Sequence, residues 1–152
     1  MDAALIAVLG TLLGSVVTHY FQGRATVRGA ELARAEQLRQ ERIASYSGFA
    51  SALFDYRRSQ NDRWFRAQEQ PGTREAESAR FASYEARIAA RQALAMVQLV
   101  CDVPRLRQLA EAAFESANCL HEAVDEQDRD RRSQRCKQAL TAFVEAAAPS
   151  VQ

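Results

Sequence analysis

The chain has 152 residues, which fits one ordinary domain, or a somewhat smaller domain together with a membrane anchor. Apolar residues make up 47% and charged residues 26% of the sequence, so the composition excludes an intrinsically disordered protein. The net charge of +1 gives no large positive field, which argues against a general nucleic-acid-binding protein. Ala is abundant, with 29 residues, whereas Gly (six) and Pro (three) are sparse, and this favours an all-α fold.

The N-terminal segment decides the class of protein. Residues 3–23 read AALIAVLGTLLGSVVTHYFQG and carry no formal charge. As an α-helix they extend about 31 Å, close to the roughly 30 Å hydrocarbon core of a bilayer. A cleavable signal peptide needs a basic region before the apolar run, and only Asp2 precedes it here. We predict a transmembrane helix; because the segment is only moderately apolar, burial inside a water-soluble bundle is the alternative.

The residues around and within this segment predict its orientation and its packing. Arg24, Arg28 and Arg34 follow it closely, so the positive-inside rule places the C-terminal side in the cytoplasm. Gly10 and Gly14 form a G-x-x-x-G pair, which lets two membrane helices approach closely. We therefore expect a single-pass protein of the cell membrane and a helix–helix contact at these glycines. Alternatively, the pair reflects only how common Gly is in membrane helices.

The rest of the chain reads as helical throughout. We predict that the membrane helix continues through a polar stalk, residues 24–42, into an antiparallel bundle of about four helices, residues 43–148. Pro71-Gly72 ends the first long helix, and Thr73 can cap the second. A coiled-coil heptad in the first helix is weak, because Arg occupies two of its eight core positions. The expected core stripe of the second helix consists of Phe81, Tyr84, Ile88, Ala95 and Leu99.

The last two helices are also marked by candidate caps. Asp102 is expected to cap a third helix with Pro104 in its first turn. The charged run 125–132 reads as a loop or a frayed helical turn, after which Ser133 can cap a fourth helix. The core of these two helices is expected to contain Leu106, Leu109, Ala113, Ala117, Leu120, Val124, Cys136, Leu140, Phe143, Val144 and Ala147.

The sequence contains little that indicates catalysis. His121 lies beside Glu122 and one turn from Asp125, but no nucleophile is placed with it. The two histidines are far apart and no metal-binding spacing is present, so we expect no enzyme, metal, cofactor or small-molecule substrate. The three cysteines, Cys101, Cys119 and Cys136, are odd in number and widely spaced, and they are expected to be reduced core residues.

One stretch, DYRRSQNDRWFR at 55–66, combines basic and aromatic residues. This combination suits single-stranded nucleic acid, acidic partners or anionic headgroups. The alternative is that Tyr56 and Trp64 pack inside the bundle while the arginines pair with Asp55, Asp62 and glutamates of the second helix. The candidate partner-binding residues are Arg57, Arg58, Arg63, Trp64 and Arg66.

Three stretches carry a resemblance to a known family: AVLGTLLGSVVTH near the N-terminus, RQERIASYSGFASALFDYRRSQNDRW, and VQLVCDVPRL. In these the chain resembles a group of small actinobacterial proteins labelled KilB, after a Streptomyces plasmid-spread protein. The resemblance implies membrane association and a role in spreading conjugative plasmid DNA between mycelial compartments. It transfers no catalytic residue to this sequence.

These observations favour a non-enzymatic, membrane-anchored helical protein that binds a protein partner or a second copy of itself. Two alternatives are kept open. One is a nucleic-acid-binding accessory module that uses the surface around Arg57–Arg66, and the other is a soluble helical oligomer with a buried first helix.

Overall fold

In the computed structural model the chain is all-α. The structure describes the backbone of residues 2–151 and the side chains of residues 29–151. The four α-helices are α1 (Asp2–Glu69), α2 (Arg74–Val100), α3 (Pro104–Asn118) and α4 (Glu126–Ala147), with short 3₁₀ turns at Leu120–Glu122 and Ala148–Val151. The chain divides into two compact units, Met1–Leu38 and Arg39–Gln152. The predicted all-α class and the number of helices are confirmed.

Helices α1 and α2 are separated by a tight turn at the predicted position. Gly72 has a φ of 75°, a left-handed conformation that costs Gly little and other residues more. The Thr73 side chain then accepts a hydrogen bond from the amide of Ala76, so it caps α2 as predicted. The chain reverses its direction within four residues, and α2 runs antiparallel to the part of α1 in the Arg39–Gln152 unit, with Arg63 lying over Tyr84.

The core of the Arg39–Gln152 unit lies between α1, α2, α3 and α4. Phe143 packs edge-to-face against Phe49, with ring centroids 5.1 Å apart, and against Tyr46 at 5.9 Å. Tyr56 stacks on Phe114 at 5.8 Å. These aromatic contacts join α1 to α4 and to α3, and small residues fill the space between them. Other core members are Leu53, Ala90, Leu94, Val97, Leu106, Ala110, Ala113, Ala117 and Cys136.

The core stripe predicted for α2 is wrong. Phe81, Ile88 and Leu99 are 58%, 60% and 79% exposed, and Tyr84 and Ala95 are also exposed. The buried side of α2 is the opposite one, and it is built mostly from small residues, which let neighbouring backbones approach closely. Its members are Ala79, Ser83, Ala90, Leu94 and Val97. The sequence prediction selected the larger apolar residues, whereas close helix packing selected the smaller ones.

Two of the predicted caps are also wrong. Asp102 does not cap α3; Val103 precedes that helix, and the Asp102 carboxylate lies 3.2 Å from the Arg42 guanidinium. Helix α4 begins earlier than predicted, because the Asp125 side chain accepts a hydrogen bond of 2.7 Å from the amide of Asp128. The charged run 125–132 therefore forms the cap and first turns of α4, and Ser133 lies inside the helix, where it accepts a hydrogen bond from Arg57.

Several single residues also depart from their predicted positions. Val124 and Val144 were expected in the core but are 82% and 47% exposed. Among the cysteines, Cys101 and Cys136 are buried as predicted, whereas Cys119 is exposed. Burial raises the pKa of the Cys136 thiol, so this group stays protonated.

The structure does not describe the side chains of the residues on which the membrane prediction rests. This applies to the proposed span 3–23 and to the glycine pair Gly10 and Gly14. Among residues 29–151, whose side chains the structure describes, no helix has a stretch long and apolar enough to cross a bilayer.

Candidate functional site

The arginines of the 55–66 stretch point in different directions from α1. Arg58 lies 3.7 Å from Asp55, and Arg66 lies 3.6 Å from Asp62, both as exposed pairs within the helix. Arg57 instead reaches α4, where it donates a hydrogen bond of 3.0 Å to the Ser133 hydroxyl. Such exposed ion pairs contribute little to stability. The structure therefore does not bring the four predicted arginines together on one surface.

Trp64 belongs to the core rather than to an exposed aromatic platform. It is 7% exposed, and its indole Nε1 donates a hydrogen bond of 2.8 Å to the Ala123 carbonyl. The Arg129 guanidinium lies over the rings of Trp64 and Phe65, at 5.6 and 4.3 Å from their centroids. Trp64 therefore packs inside the bundle, which is the alternative to an exposed binding surface.

Arg63 differs from its neighbours because it faces a polar cavity between α1, α2 and the end of α3. The cavity has a volume of about 190 Å³. Every residue that lines it is polar, and each is either neutral or basic. The lining residues are Tyr56, Gln60, Arg63, Ser83, Tyr84, Arg87, Asn118 and His121.

Gln60 organises the inner wall of this cavity. It is only 1% exposed, and its Nε2 donates to the Tyr56 hydroxyl at 2.9 Å. The same nitrogen lies 3.3 Å from the Asn118 carbonyl and 3.3 Å from His121 Nδ1. Its Oε1 is buried and has no hydrogen-bond partner among the described atoms. A buried acceptor without a donor is costly.

The cavity has an excess of positive charge. Among the described residues, neither Arg63 nor Arg87 forms an ion pair. Burial lowers the pKa of His121, and the Arg63 guanidinium lowers it further, as Arg87 does to a smaller extent. Burial raises the pKa of Tyr56, while the same two guanidiniums oppose that shift. Burial and the two guanidiniums therefore disfavour the charged form of His121, while the Asn118 carbonyl and Glu122 oppose this shift of its pKa.

The surroundings of His121 differ from those that its sequence neighbours suggested. Asp125, which was considered as a partner for His121, caps α4 instead, and the His121 Nδ1 contacts the Asn118 carbonyl at 3.0 Å. Where the structure describes side chains, no group of three or more His, Cys, Asp or Glu is placed to hold a metal ion.

A second feature is the outward row of α2, which consists of Phe81, Ile88, Met96 and Leu99. These residues recur at spacings of seven, eight and three along a helix about 40 Å long, so they share one side of it. Met96 is 51% exposed, like its neighbours in the row. Exposed apolar side chains that share one side of a helix occur at protein–protein contact surfaces.

Sequence analysis identified Arg63 but missed its partners in the cavity. Gln60, Tyr84 and Arg87 come from two helices, and nothing in their local spacing indicates that they meet. The one available signal was Gln60, which lies four residues after Tyr56 and therefore on the same side of α1.

The fold and its surfaces define a small all-α protein with a buried aromatic core and an exposed apolar helix side. The family model for the KilB plasmid transfer protein matches residues 43–151 of the chain. The chain therefore belongs to the KilB plasmid transfer protein family, which is described by plasmid transfer and not by a catalysed reaction. No curated protein and no solved structure matches the chain significantly.

Proposed function

We propose that the chain is a non-enzymatic accessory protein of plasmid transfer that is anchored in the cell membrane and binds a protein partner through its helical unit. The observation that carries this proposal is the family match over 43–151, which covers most of the compact unit Arg39–Gln152. The matched region is therefore the folded unit itself, and the plasmid-transfer role is assigned to that unit.

The membrane anchor is supported by residues 3–23. Their length fits a bilayer and they carry no charge, while Arg24, Arg28 and Arg34 follow on one side. In this proposal the helical unit lies in the cytoplasm, and Gly10 and Gly14 provide a surface for pairing within the membrane.

The outward row of α2 is the proposed docking surface for the partner. Its side chains share one side of a helix of 27 residues, and a second amphipathic helix is an element that can cover such a side. We therefore assign the row to an amphipathic helix of a partner protein, which buries Phe81, Ile88 and Leu99.

The nucleic-acid alternative has less support. Trp64 is buried and Arg57 binds Ser133, so the stretch at 55–66 offers neither a free indole for base stacking nor a continuous basic groove.

The proposal is tested by the frequency of plasmid transfer from a host that lacks the chain and carries a variant copy. We expect Ile88→Glu combined with Leu99→Glu to reduce transfer at least tenfold, because two charges placed in an apolar contact prevent docking. Protein level and helicity should be unchanged, since both side chains are already exposed.

Val124→Glu is the matched control, because Val124 is 82% exposed but lies outside α2. Transfer should stay normal in this variant. Normal transfer in the double variant, at normal protein level, would contradict the docking role of α2. Normal transfer in the complete absence of the chain would contradict the proposed function itself.

A further inference from the structure

The cavity beside Arg63 has a chemistry that the proposed function does not use. Its volume of about 190 Å³ is room for roughly six water molecules. Pockets for cofactors and drug-sized ligands are larger, at about 300–1,000 Å³. The occupant is therefore a group of only a few non-hydrogen atoms.

The charges around the cavity determine whether it binds a positive or a negative group. Arg63 and Arg87 both line it, no carboxylate lines it, and neither guanidinium is ion-paired in the part of the chain with described side chains. Arg63 is half-buried and loses part of its hydration there. Guanidinium groups bind planar or tetrahedral oxyanions through paired hydrogen bonds, and the interaction is stronger where water is partly excluded.

One neutral group of the wall can add a hydrogen bond. The Tyr84 hydroxyl lines the cavity and can donate to an oxygen atom. The Ser83 hydroxyl already donates to the Arg80 carbonyl at 2.7 Å, and the Asn118 amide donates to the Glu115 carboxylate at 3.4 Å. The two guanidiniums and the Tyr84 hydroxyl are therefore the groups that can hold an oxyanion here.

We propose that this cavity is a binding site for a small oxyanion of phosphate size, held by Arg63 and Arg87 with the Tyr84 hydroxyl as a further donor. The site joins α1, α2 and the C-terminal end of α3, so its occupation stabilises the contact between these helices. This site is independent of the α2 row and of the membrane anchor.

The test uses the full-length chain in neutral detergent micelles. Inorganic phosphate is titrated against it at constant ionic strength, which is kept with sodium chloride, and backbone amide NMR signals are recorded. We expect saturable shifts at Ser83, Tyr84 and Asn118. We also expect the His121 pKa to rise in the presence of phosphate, because the anion offsets the field of Arg63. A His19→Gln variant assigns the signal of His121.

Substitutions identify the site. Arg63→Gln and Arg87→Gln should each weaken phosphate binding at least about tenfold, because each removes a charge-assisted hydrogen bond. Arg105→Gln removes the same charge from an exposed position outside the cavity, and it should leave the affinity unchanged.

Three results would overturn the inference. They are the absence of saturable shifts with phosphate, equal shifts with chloride alone, and unchanged affinity in the Arg63→Gln, Arg87→Gln double variant. A single-stranded oligonucleotide that competes with phosphate through a terminal phosphate would support the inference. Oligonucleotide binding without a response to inorganic phosphate would contradict it.

Discussion

Replacement of Phe143 by Ala should lower the free energy of unfolding by about 3–5 kcal/mol. The side chain is fully buried and contacts Phe49 and Tyr46 edge-to-face, so truncation removes two aromatic contacts and leaves a cavity between α1 and α4. Urea unfolding followed by the fluorescence of Trp64, the sole Trp, measures the change.

Phe81→Ala is the matched control for this experiment, because it removes the same atoms from a position that is 58% exposed. It should cost less than about 1 kcal/mol. Equal losses in the two variants would mean that the side of α2 assigned to solvent is packed, and the description of the core would be wrong.

The second large effect is expected at Trp64. Trp64→Ala should destabilise the chain by about 3–5 kcal/mol, because the indole is buried and the Ala123 carbonyl loses its donor. Trp64→Phe keeps most of the apolar area and should cost less. Thermal unfolding followed by circular dichroism reports both losses without depending on the indole signal.

Two arginines of the same stretch provide the comparison for Trp64. Arg58→Gln and Arg66→Gln remove exposed ion pairs with Asp55 and Asp62, and each should change the stability by about 0.5 kcal/mol or less. A small effect of Trp64→Ala, similar to theirs, would favour the earlier hypothesis that Trp64 lies on an exposed binding surface.

Local signals were sufficient to predict the helices. Pro71-Gly72 and Thr73 act within one or two turns, so their effect on the end of α1 and the start of α2 can be read from neighbouring residues. The early start of α4 was missed because Asp125 opens a run rich in charge. Such a run resembles a loop, although Asp is also a good helix cap.

The orientation of α2 could not be predicted from local pattern. This helix is apolar on two opposite sides, with large residues such as Ile88 on one and small residues such as Ala90 on the other. Which side is buried depends on the space that α1 and α3 leave, and Tyr56 and Phe114 fill much of that space. Small residues then fit better than large ones.

The cavity beside Arg63 could not be predicted from the local sequence pattern either. Its residues come from three helices and the 3₁₀ turn Leu120–Glu122, and their meeting depends on the rotation of α2. Once Ser83 is buried, Tyr84 and Arg87 are directed towards α1 and the end of α3. A prediction that buried Ile88 instead would have turned them away from Gln60.

The central claim, that residues 3–23 anchor the protein in a membrane, is tested most directly by membrane fractionation of cells that produce either the full-length chain or a Δ2–22 variant. After a sodium carbonate wash, we predict that the full-length chain stays in the membrane pellet and that the Δ2–22 variant is in the supernatant, because lipid is the better solvent for the deleted segment. Release of both proteins into the supernatant would contradict the claim.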